Sequence, residues 1–329
     1  MKNLYCLCGQ AVFFENTRCL NCQRALGYDP QRRAMVDLDN PRYRACANYR
    51  DAAICNWVVS ADDAEALCRS CRLTRTTPNL SVPANKGRWA ILEAAKRRLI
   101  SGFLYFDLPI DADPAGQHPA LAFDFLEDRG SNPLVAEEYI RTGYATGRIT
   151  INVSEANPVQ REYTRSLMNE DYRTPLGHMR HESGHYFYDR LIQQGPWRSS
   201  FEALFGDPCL DYEQALANYY ADPPLLEASS GYISQYAQAH PLEDWAECWA
   251  HFLHINDALE SARASQTIVF QETLTEIPHW VDQWVQLSVT LNELNHCMGH
   301  ADAYPFVLTT GVITKLEFIR QVVDQLSPN

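Results

Sequence analysis

The chain has 329 residues, of which 46% are hydrophobic and 21% charged, a composition typical of a soluble protein with more than one domain. No run of eighteen apolar residues occurs, and the N-terminus MKNLYCLCGQ lacks the apolar core of a signal peptide, so we expect no membrane partner and a cytoplasmic location. Residues 1–82 carry eleven basic and eight acidic side chains (net +3), whereas residues 83–329 carry seventeen and thirty-three (net −16), which makes the larger part a poor partner for nucleic acid.

Eight of the eleven cysteines lie within the first 71 residues, and in a cytoplasmic protein such clustering favours metal binding over disulfides. They form two sets, each ending in a CxxC pair: Cys6, Cys8, Cys19 and Cys22, then Cys46, Cys55, Cys68 and Cys71. Four thiolates can surround one tetrahedral Zn²⁺ and leave no open position, so the sequence predicts two structural zinc sites in a small domain over residues 1–82. The CxCG…CxxC pattern of the first set resembles a zinc ribbon. The spacing of the second set is irregular, which leaves open that one member is only a buried thiol.

Three arginines recur at three-residue spacing around the last cysteine pair, namely Arg69, Arg72 and Arg75. Such a stripe could bind nucleic acid, but a solvated face or contacts to acidic residues of the larger domain explain it better. The prolines between residues 77 and 85 indicate the linker to that domain.

The segment after the linker predicts an α+β domain over residues 83–329. Residues 86–100 have helical periodicity, and residues 121–126 and 147–153 have the composition and alternation of strands. We therefore expect a mostly helical domain with a small sheet. If the strand at residues 148–153 lies at an exposed edge, it could hold a peptide in extended form.

The sequence HESGH contains His181, Glu182 and His185 in the spacing of an H-E-x-x-H motif. Thr174 and Pro175 are suitable for the N-cap and first position of a helix. On a helix, residues four apart share a face, so the two imidazoles can bind one metal ion while Glu182 reaches a water beside it. Gly184 lowers helix stability by about 1 kcal/mol relative to alanine, a cost that a closely packed second helix would explain.

A second informative stretch begins at Pro241, which is well placed to open a helix. Glu243 and Glu247 then share one face of a largely apolar helix, and two buried acids need a positive partner, such as zinc with its histidine ligands. Other members of this region could replace Glu243 as ligand: Asp244, Glu247, His240, His251 and His254. Beyond it, Trp280, Trp284, Leu287 and Leu291 indicate a packed amphipathic helix, and we expect Cys209, Cys248 and Cys297 to be buried thiols.

H-E-x-x-H followed by a helix that carries ExxxE resembles the gluzincin metallopeptidases. Tyr236 stands seven residues before Glu243, and this local pattern is similar to the peptidase domain of anthrax lethal factor. The whole chain, with its cysteine-rich start, resembles bacterial zinc-binding metallopeptidases that carry an N-terminal zinc ribbon. The resemblance implies a zincin-like domain in which Glu243 is the third zinc ligand, Glu247 holds a ligand histidine in place and Tyr236 donates a hydrogen bond to the oxyanion.

These observations together predict a zinc peptidase with one catalytic and two structural zinc ions, acting on a peptide or protein substrate, with Glu182 as general base. Two alternatives stay open. The ribbon could bind a protein or nucleic acid while the larger domain serves as a scaffold without catalysis. With a third histidine as ligand, the site would instead resemble that of the SprT-type proteases that act at DNA. The net charge of −16 over residues 83–329 counts against this alternative.

Overall fold

The computed structural model describes residues 3–133, 135–137, 140–167, 173–227, 231–266, 268–270 and 277–326. The described chain divides into two compact units, residues 1–179 and 180–329. The predicted domain boundary near residue 82 lies within the first unit.

The first 60 residues of unit one form three short antiparallel hairpins. The paired strands are β1 (Leu4–Tyr5) with β2 (Ala11–Val12), β3 (Leu26–Asp29) with β4 (Ala34–Asp37), and β5 (Tyr43–Ala45) with β6 (Val58–Ser60), with the short helix α1 (Ala47–Arg50) after β5. Their apolar centre is small. Tyr28 packs with its ring centroid 4.6 Å from Phe14 and 5.5 Å from Trp57, and the remaining buried apolar side chains of the hairpins are aliphatic residues and cysteines. A core of this size needs additional cross-links, which metal sites provide.

A four-stranded sheet completes the strands of unit one. Its members are β7 (Thr74–Thr76), β8 (Ala122–Leu126), β9 (Gly143–Ala145) and β10 (Arg148–Asn152), in the order β7-β8-β10-β9. The predicted strands are thus present, but the expectation that residues 148–153 lie at an edge is wrong. Strand β10 is an inner strand, parallel to β8 on one side and antiparallel to β9 on the other. Its backbone groups are used within the sheet, so it cannot add a peptide strand.

Helix α2 (Asn85–Tyr105) joins the cysteine-rich segment to the sheet, and helix α3 (Pro158–Leu167) follows the strands. The Arg97 guanidinium of α2 donates to the Ile54 carbonyl at 2.6 Å and pairs with Glu15 at 2.8 Å. Lys96 and Glu93 form a fully buried ion pair that reaches Thr74 of β7. Because buried charges are costly without partners, these contacts fix α2 against the ribbon segment.

The ribbon segment also contributes directly to the sheet, because β7 pairs in parallel with β8. Two of the three arginines near it contact acids: Arg72 bonds Asp63 at 2.7 Å, and Arg69 pairs with Asp111. Charge pairing therefore accounts for two members of the predicted basic stripe.

Unit two is helical over its described residues. Helix α4 (Pro175–Phe187) runs into it from unit one and continues as a π-helical turn (Tyr188–Ile192); then come α5 (Arg198–Phe205), α6 (Tyr212–Ala221), α7 (Pro241–Ser265), α8 (His279–Cys297) and α9 (Thr310–Asp324). Both predicted starts are confirmed. Thr174 Oγ1 accepts from the Gly177 N–H at 2.9 Å, and Pro241 follows the N-cap His240 as the first residue of α7.

Helix α7 is the centre of unit two. Trp245 and Trp249 on it are fully buried, and the Trp245 ring packs edge-on against Phe201, Phe205 and Phe318 of α5 and α9. Of the isolated cysteines, Cys248 is buried as expected, but Cys209 and Cys297 are exposed, so the expectation of buried thiols is wrong for those two. The mixed architecture, mostly helical with a small sheet after a cysteine-rich segment, matches the predicted fold class.

Candidate metal centre

Helix α4 places His181 and His185 side by side on one face. They are one helical turn apart, and their ring centroids are separated by 5.2 Å. His181 is 9% exposed and Glu182, the next residue, is 7% exposed. This part of α4 is therefore shielded from bulk solvent.

Gly184 explains how closely α7 approaches this face. A Cβ atom at Gly184 would lie 2.7 Å from the Cα of Ala246, a distance that no real contact tolerates. Two buried indoles fix the same contact, because Trp245 Nε1 donates to the Gly184 carbonyl at 2.8 Å and Trp249 Nε1 donates to Ser183 Oγ at 3.1 Å. The closely packed partner that the sequence suggested for Gly184 is therefore α7.

The close approach brings Glu243 of α7 to the two histidines. Glu243 is fully buried, with Oε2 3.0 Å from His181 Nε2 and Oε1 3.5 Å from His185 Nε2. The ligand atoms of the three residues all lie within 4.8 Å of one another. Two imidazole nitrogens and one carboxylate oxygen form a donor set that suits Zn²⁺ and leaves a fourth position for solvent.

Glu247, one turn further along α7, holds the other nitrogen of His181. Its Oε1 lies 2.7 Å from His181 Nδ1, while Ser234 Oγ donates to Oε2 at 2.6 Å. A carboxylate on Nδ1 keeps Nε2 directed at the centre and increases the basicity of the ring. The predicted role of Glu247, holding a ligand histidine, has the geometry that it requires.

The acidic and imidazole groups of the cluster stabilise one another's charged forms. Burial alone raises the pKa of Glu243, but the charge of His185 and the hydrogen bonds of both histidines hold that pKa well below its usual range. Burial alone lowers the pKa of His181, but hydrogen bonds to Glu243 and Glu247 raise it well above its usual range. A buried carboxylate is thus stabilised by positive charge, which a metal ion would supply when the imidazoles are neutral ligands.

Tyr236 lies in the 3₁₀ turn Tyr236–Gln238 just before α7, with its ring centroid 5.9 Å from that of His181. Burial, then the charge of Glu243, raises its pKa far above the ordinary value, with lesser contributions that include Glu182. The phenol therefore stays protonated and able to donate a hydrogen bond beside the cluster.

The rival ligands have other partners. Asp244 pairs with Lys315 at 2.5 Å, and His240 accepts from the Leu242 N–H at 3.1 Å as the N-cap of α7. His251 Nδ1 lies 2.7 Å from the Tyr304 hydroxyl, and His254 packs against the rings of Trp284 and Tyr304. Sequence reasoning missed Ser234, whose hydroxyl donates to Glu247 Oε2, and also Tyr212, whose hydroxyl donates to Glu243 Oε1. The only sequence signal of Tyr212 is its place after Asp211, a good N-cap.

The cysteines of unit one form the two predicted sets. Sulfur atoms lie 3.6 Å apart in the Cys6–Cys22 and Cys8–Cys19 pairs and 3.7 Å apart in the Cys55–Cys68 pair. These separations exclude disulfides, whose sulfurs are about 2.05 Å apart. They agree with the separation of ~3.8 Å expected for four sulfurs placed tetrahedrally around zinc at about 2.3 Å.

Both parts of the chain match known protein families. The model of a family described as "Putative zinc-binding metallo-peptidase" matches residues 85–322, and the model of a zinc-ribbon domain matches residues 3–82. The chain belongs to this metallopeptidase family. The family description names zinc, and the donor set at His181, His185 and Glu243 suits that ion.

Relatives of this metallopeptidase-family chain align with it over its whole length. An uncharacterized protein of Mycobacterium bovis and its counterparts in two strains of Mycobacterium tuberculosis are 40% identical to it over 339 residues, covering 100% of this chain and 97% of each relative. No solved structure gives a significant match. Among the described residues, no helix has the length and apolar content to cross a membrane.

Proposed function

We propose that this protein is a zinc-dependent peptidase. The catalytic ion would be held by His181, His185 and Glu243, and two further zinc ions would be held by the cysteine sets of the ribbon. The observation that carries the proposal is the convergence of two imidazoles and a buried carboxylate from α4 and α7, with Glu182 directly after His181 on α4. Membership of a metallopeptidase family supports it.

The bound ion would act as a Lewis acid on the peptide carbonyl and would lower the pKa of a coordinated water toward about 7. Glu182 accepts a proton from the attacking water and later returns it to the leaving amine. Tyr236 donates its hydroxyl proton in a hydrogen bond to the carbonyl oxygen as negative charge develops there. Glu247 keeps the His181 ring in the orientation and tautomer that binding requires.

The variant Glu182→Gln tests the general base. The amide keeps the size of the side chain and leaves the three ligands in place, but it cannot accept a proton. We expect metal content to stay at the wild-type level and cleavage of a peptide library to fall by at least about 100-fold. Glu213→Gln, at an exposed position on α6, is the matched control and should retain full activity. Full activity of Glu182→Gln would reject Glu182 as the base.

Metal analysis tests the ligand set. We expect three zinc ions per chain in the wild type and two in His185→Ala. Glu243→Gln should weaken zinc binding at this centre without affecting the ribbon cysteines. If Glu243→Gln keeps the wild-type stoichiometry and affinity, the third ligand is not Glu243. Wild-type cleavage that persists after removal of zinc by a chelator would contradict the metal mechanism.

The ribbon supports a second role, in binding a protein. Leu7 and Leu20, which lie between paired cysteines, are 72% and 84% exposed, and Phe13 is 80% exposed. Two tetrathiolate zinc sites of about −2 each would offset the net +3 of residues 1–82, so the surface would favour an apolar protein partner over a polyanion. Replacing Phe13 and Leu20 by serine should slow cleavage of a protein substrate and leave cleavage of short peptides unchanged. An equal effect on both substrates would contradict recruitment through the ribbon.

A further inference from the structure

Tyr212 contacts the buried carboxylate that completes the candidate metal centre. Its hydroxyl donates to Oε1 of Glu243, whereas Oε2 is the oxygen that lies 3.0 Å from His181 Nε2. The two carboxylate oxygens therefore have different surroundings. Oε1 accepts from the phenol and also lies 3.5 Å from His185 Nε2, whereas Oε2 has His181 as its neighbour on α4.

The position of the phenol is set by the fold rather than by chance rotation of an exposed side chain. Tyr212 is the first residue of α6, and Asp211 caps that helix by accepting from the Gln214 N–H at 3.0 Å. Just before the cap, the Leu210 carbonyl lies 3.2 Å from Nε2 of His240, which is the N-cap of α7. The starts of α6 and α7 are thus tied together two residues before Tyr212.

Ring packing adds a second constraint. The Tyr212 ring meets the His240 ring edge-on, with centroids 5.1 Å apart. The aromatic contact and the Leu210–His240 contact together leave the hydroxyl directed at Glu243. Tyr212 is 38% exposed, so its ring is only partly covered by these contacts.

We propose that Tyr212 is a positioning residue that orients the Glu243 carboxylate for the metal ion. The proposal rests on the proposed metal centre. By donating to Oε1, the phenol stabilises the ionised carboxylate and leaves Oε2 for the ion. Hydrogen bonds of this kind to a ligand commonly change metal affinity by 10- to 100-fold when they are removed.

The test is Tyr212→Phe, which removes the hydroxyl and keeps the ring against His240. Cobalt is the probe, because cobalt bound by nitrogen and oxygen differs in absorption from cobalt bound by four thiolates, and titration therefore follows this centre separately from the ribbon. We expect the dissociation constant for cobalt at this centre to rise at least 10-fold and its absorption spectrum to change. Tyr220→Phe, on the exposed side of the same helix, is the matched control and should change the constant less than twofold.

The outcomes separate this proposal from the proposed peptidase activity. An unchanged cobalt affinity and spectrum in Tyr212→Phe would overturn the positioning role, even if cleavage slowed. A weakened site in a protein that hydrolyses no peptide would support the positioning role and reject the peptidase. Thermal unfolding of the metal-free variants is measured in parallel, and an equal Tm for Tyr212→Phe and wild type would show that the affinity change is not a loss of folding.

Discussion

Gly184 is the residue on which the contact between α4 and α7 depends. A Cβ there would meet backbone of α7, the Cα of Ala246 at 2.7 Å, which cannot move aside as a flexible side chain can. We expect Gly184→Ala to lower the free energy of unfolding by about 2 kcal/mol and to weaken metal binding, because α7 carries Glu243. Chemical denaturation and zinc titration measure the two effects.

The control for this prediction is Gly87→Ala. Gly87 lies in the first turn of α2, and a Cβ there would meet no atom within 4 Å. Alanine should therefore leave stability unchanged or raise it by up to about 1 kcal/mol through helix propensity. If both variants gave the same change, the close approach of α7 would not be what requires glycine at 184.

His251 predicts a specific dependence of stability on pH. It is 9% exposed, and burial, together with the charges of Arg180 and His181, lowers its pKa to about 4. The unfolded chain, with a histidine pKa of about 6.5, takes up a proton before the folded chain does, so stability is lost as pH falls below 6.5. The expected contribution is about 1.4 kcal/mol between pH 7.5 and 5.5.

The measurement for His251 compares urea unfolding of wild type and His251→Gln at those two pH values. Glutamine does not titrate and can still bond the Tyr304 hydroxyl. The variant should lose less stability than wild type over this range, because it lacks the group that takes up a proton on unfolding. Parallel loss in the two proteins would contradict the assignment.

At the residue scale, the sequence was informative where a residue type has few structural uses. A histidine pair on one turn, a helix that opens with proline and a glycine inside a helix each have a narrow range of explanations, and the structure gives all three the expected setting. Tyr212 could not be found in this way. It is one of seventeen tyrosines, and no sequence motif links it to Glu243, which lies 31 residues further on. Their contact depends on how α6 and α7 pack together.

Among the elements, α9 depends on a buried ion pair with α7. Lys315 Nζ lies 2.5 Å from Asp244 and also donates to the Gly231 carbonyl at 2.8 Å, just before the segment that carries Ser234 and Tyr236. Lys315→Met would leave the Asp244 carboxylate buried without a cation. We expect it to lower the free energy of unfolding by about 3 kcal/mol, measured by urea denaturation.

Two controls accompany Lys315→Met. Arg320→Gln removes an exposed arginine of the same helix, 3.5 Å from Asp324, and should cost less than about 0.5 kcal/mol. The double variant Asp244→Asn with Lys315→Met removes both charges and should recover much of the lost stability. A double variant no more stable than Lys315→Met alone would show that the cost comes from packing and not from an unpaired charge.

Element types were predictable from periodicity, but pairing within the sheet was not. Alternation along residues 147–153 correctly indicated a strand with buried faces, yet it says nothing about which edges of that strand are occupied. The edge prediction failed for that reason. Similarly, Asp244 was a plausible metal ligand in sequence because its cation, Lys315, lies 71 residues away.

At the scale of unit one, the second cysteine set is linked to the sheet. Cys68 and Cys71 directly precede β7, which pairs with β8, whereas Cys6 and Cys22 are near the start of the chain. We therefore expect Cys68→Ser to reduce protection of residues 122–126 against hydrogen exchange by at least 10-fold, because loss of metal there releases β7. Cys22→Ser is the control and should leave that protection within about twofold of wild type. Equal effects would contradict the link.

The domain boundary at residue 82 stays a prediction, because sequence similarity and compact units divide the chain at different positions. The composition changes sharply near residue 82, and the two family matches meet close to that position. Composition and sequence similarity show which residues belong to one evolutionary module. Compact structural units are instead defined by contacts between residues. The contacts of Arg97, Lys96 and β7 place the ribbon segment in the same unit as the sheet.

The pairing of β7 with β8 has a practical consequence for anyone who prepares the metallopeptidase segment alone. A recombinant fragment that starts at residue 85 would lack the outer strand of the sheet, so the N–H and C=O groups of β8 on that side would lose their partners. Phe123 and Phe125 lie on β8, and an apolar strand with an open edge invites pairing between molecules. Such a fragment should aggregate, and its insolubility would result from the missing strand rather than from an inability of the metallopeptidase segment to fold.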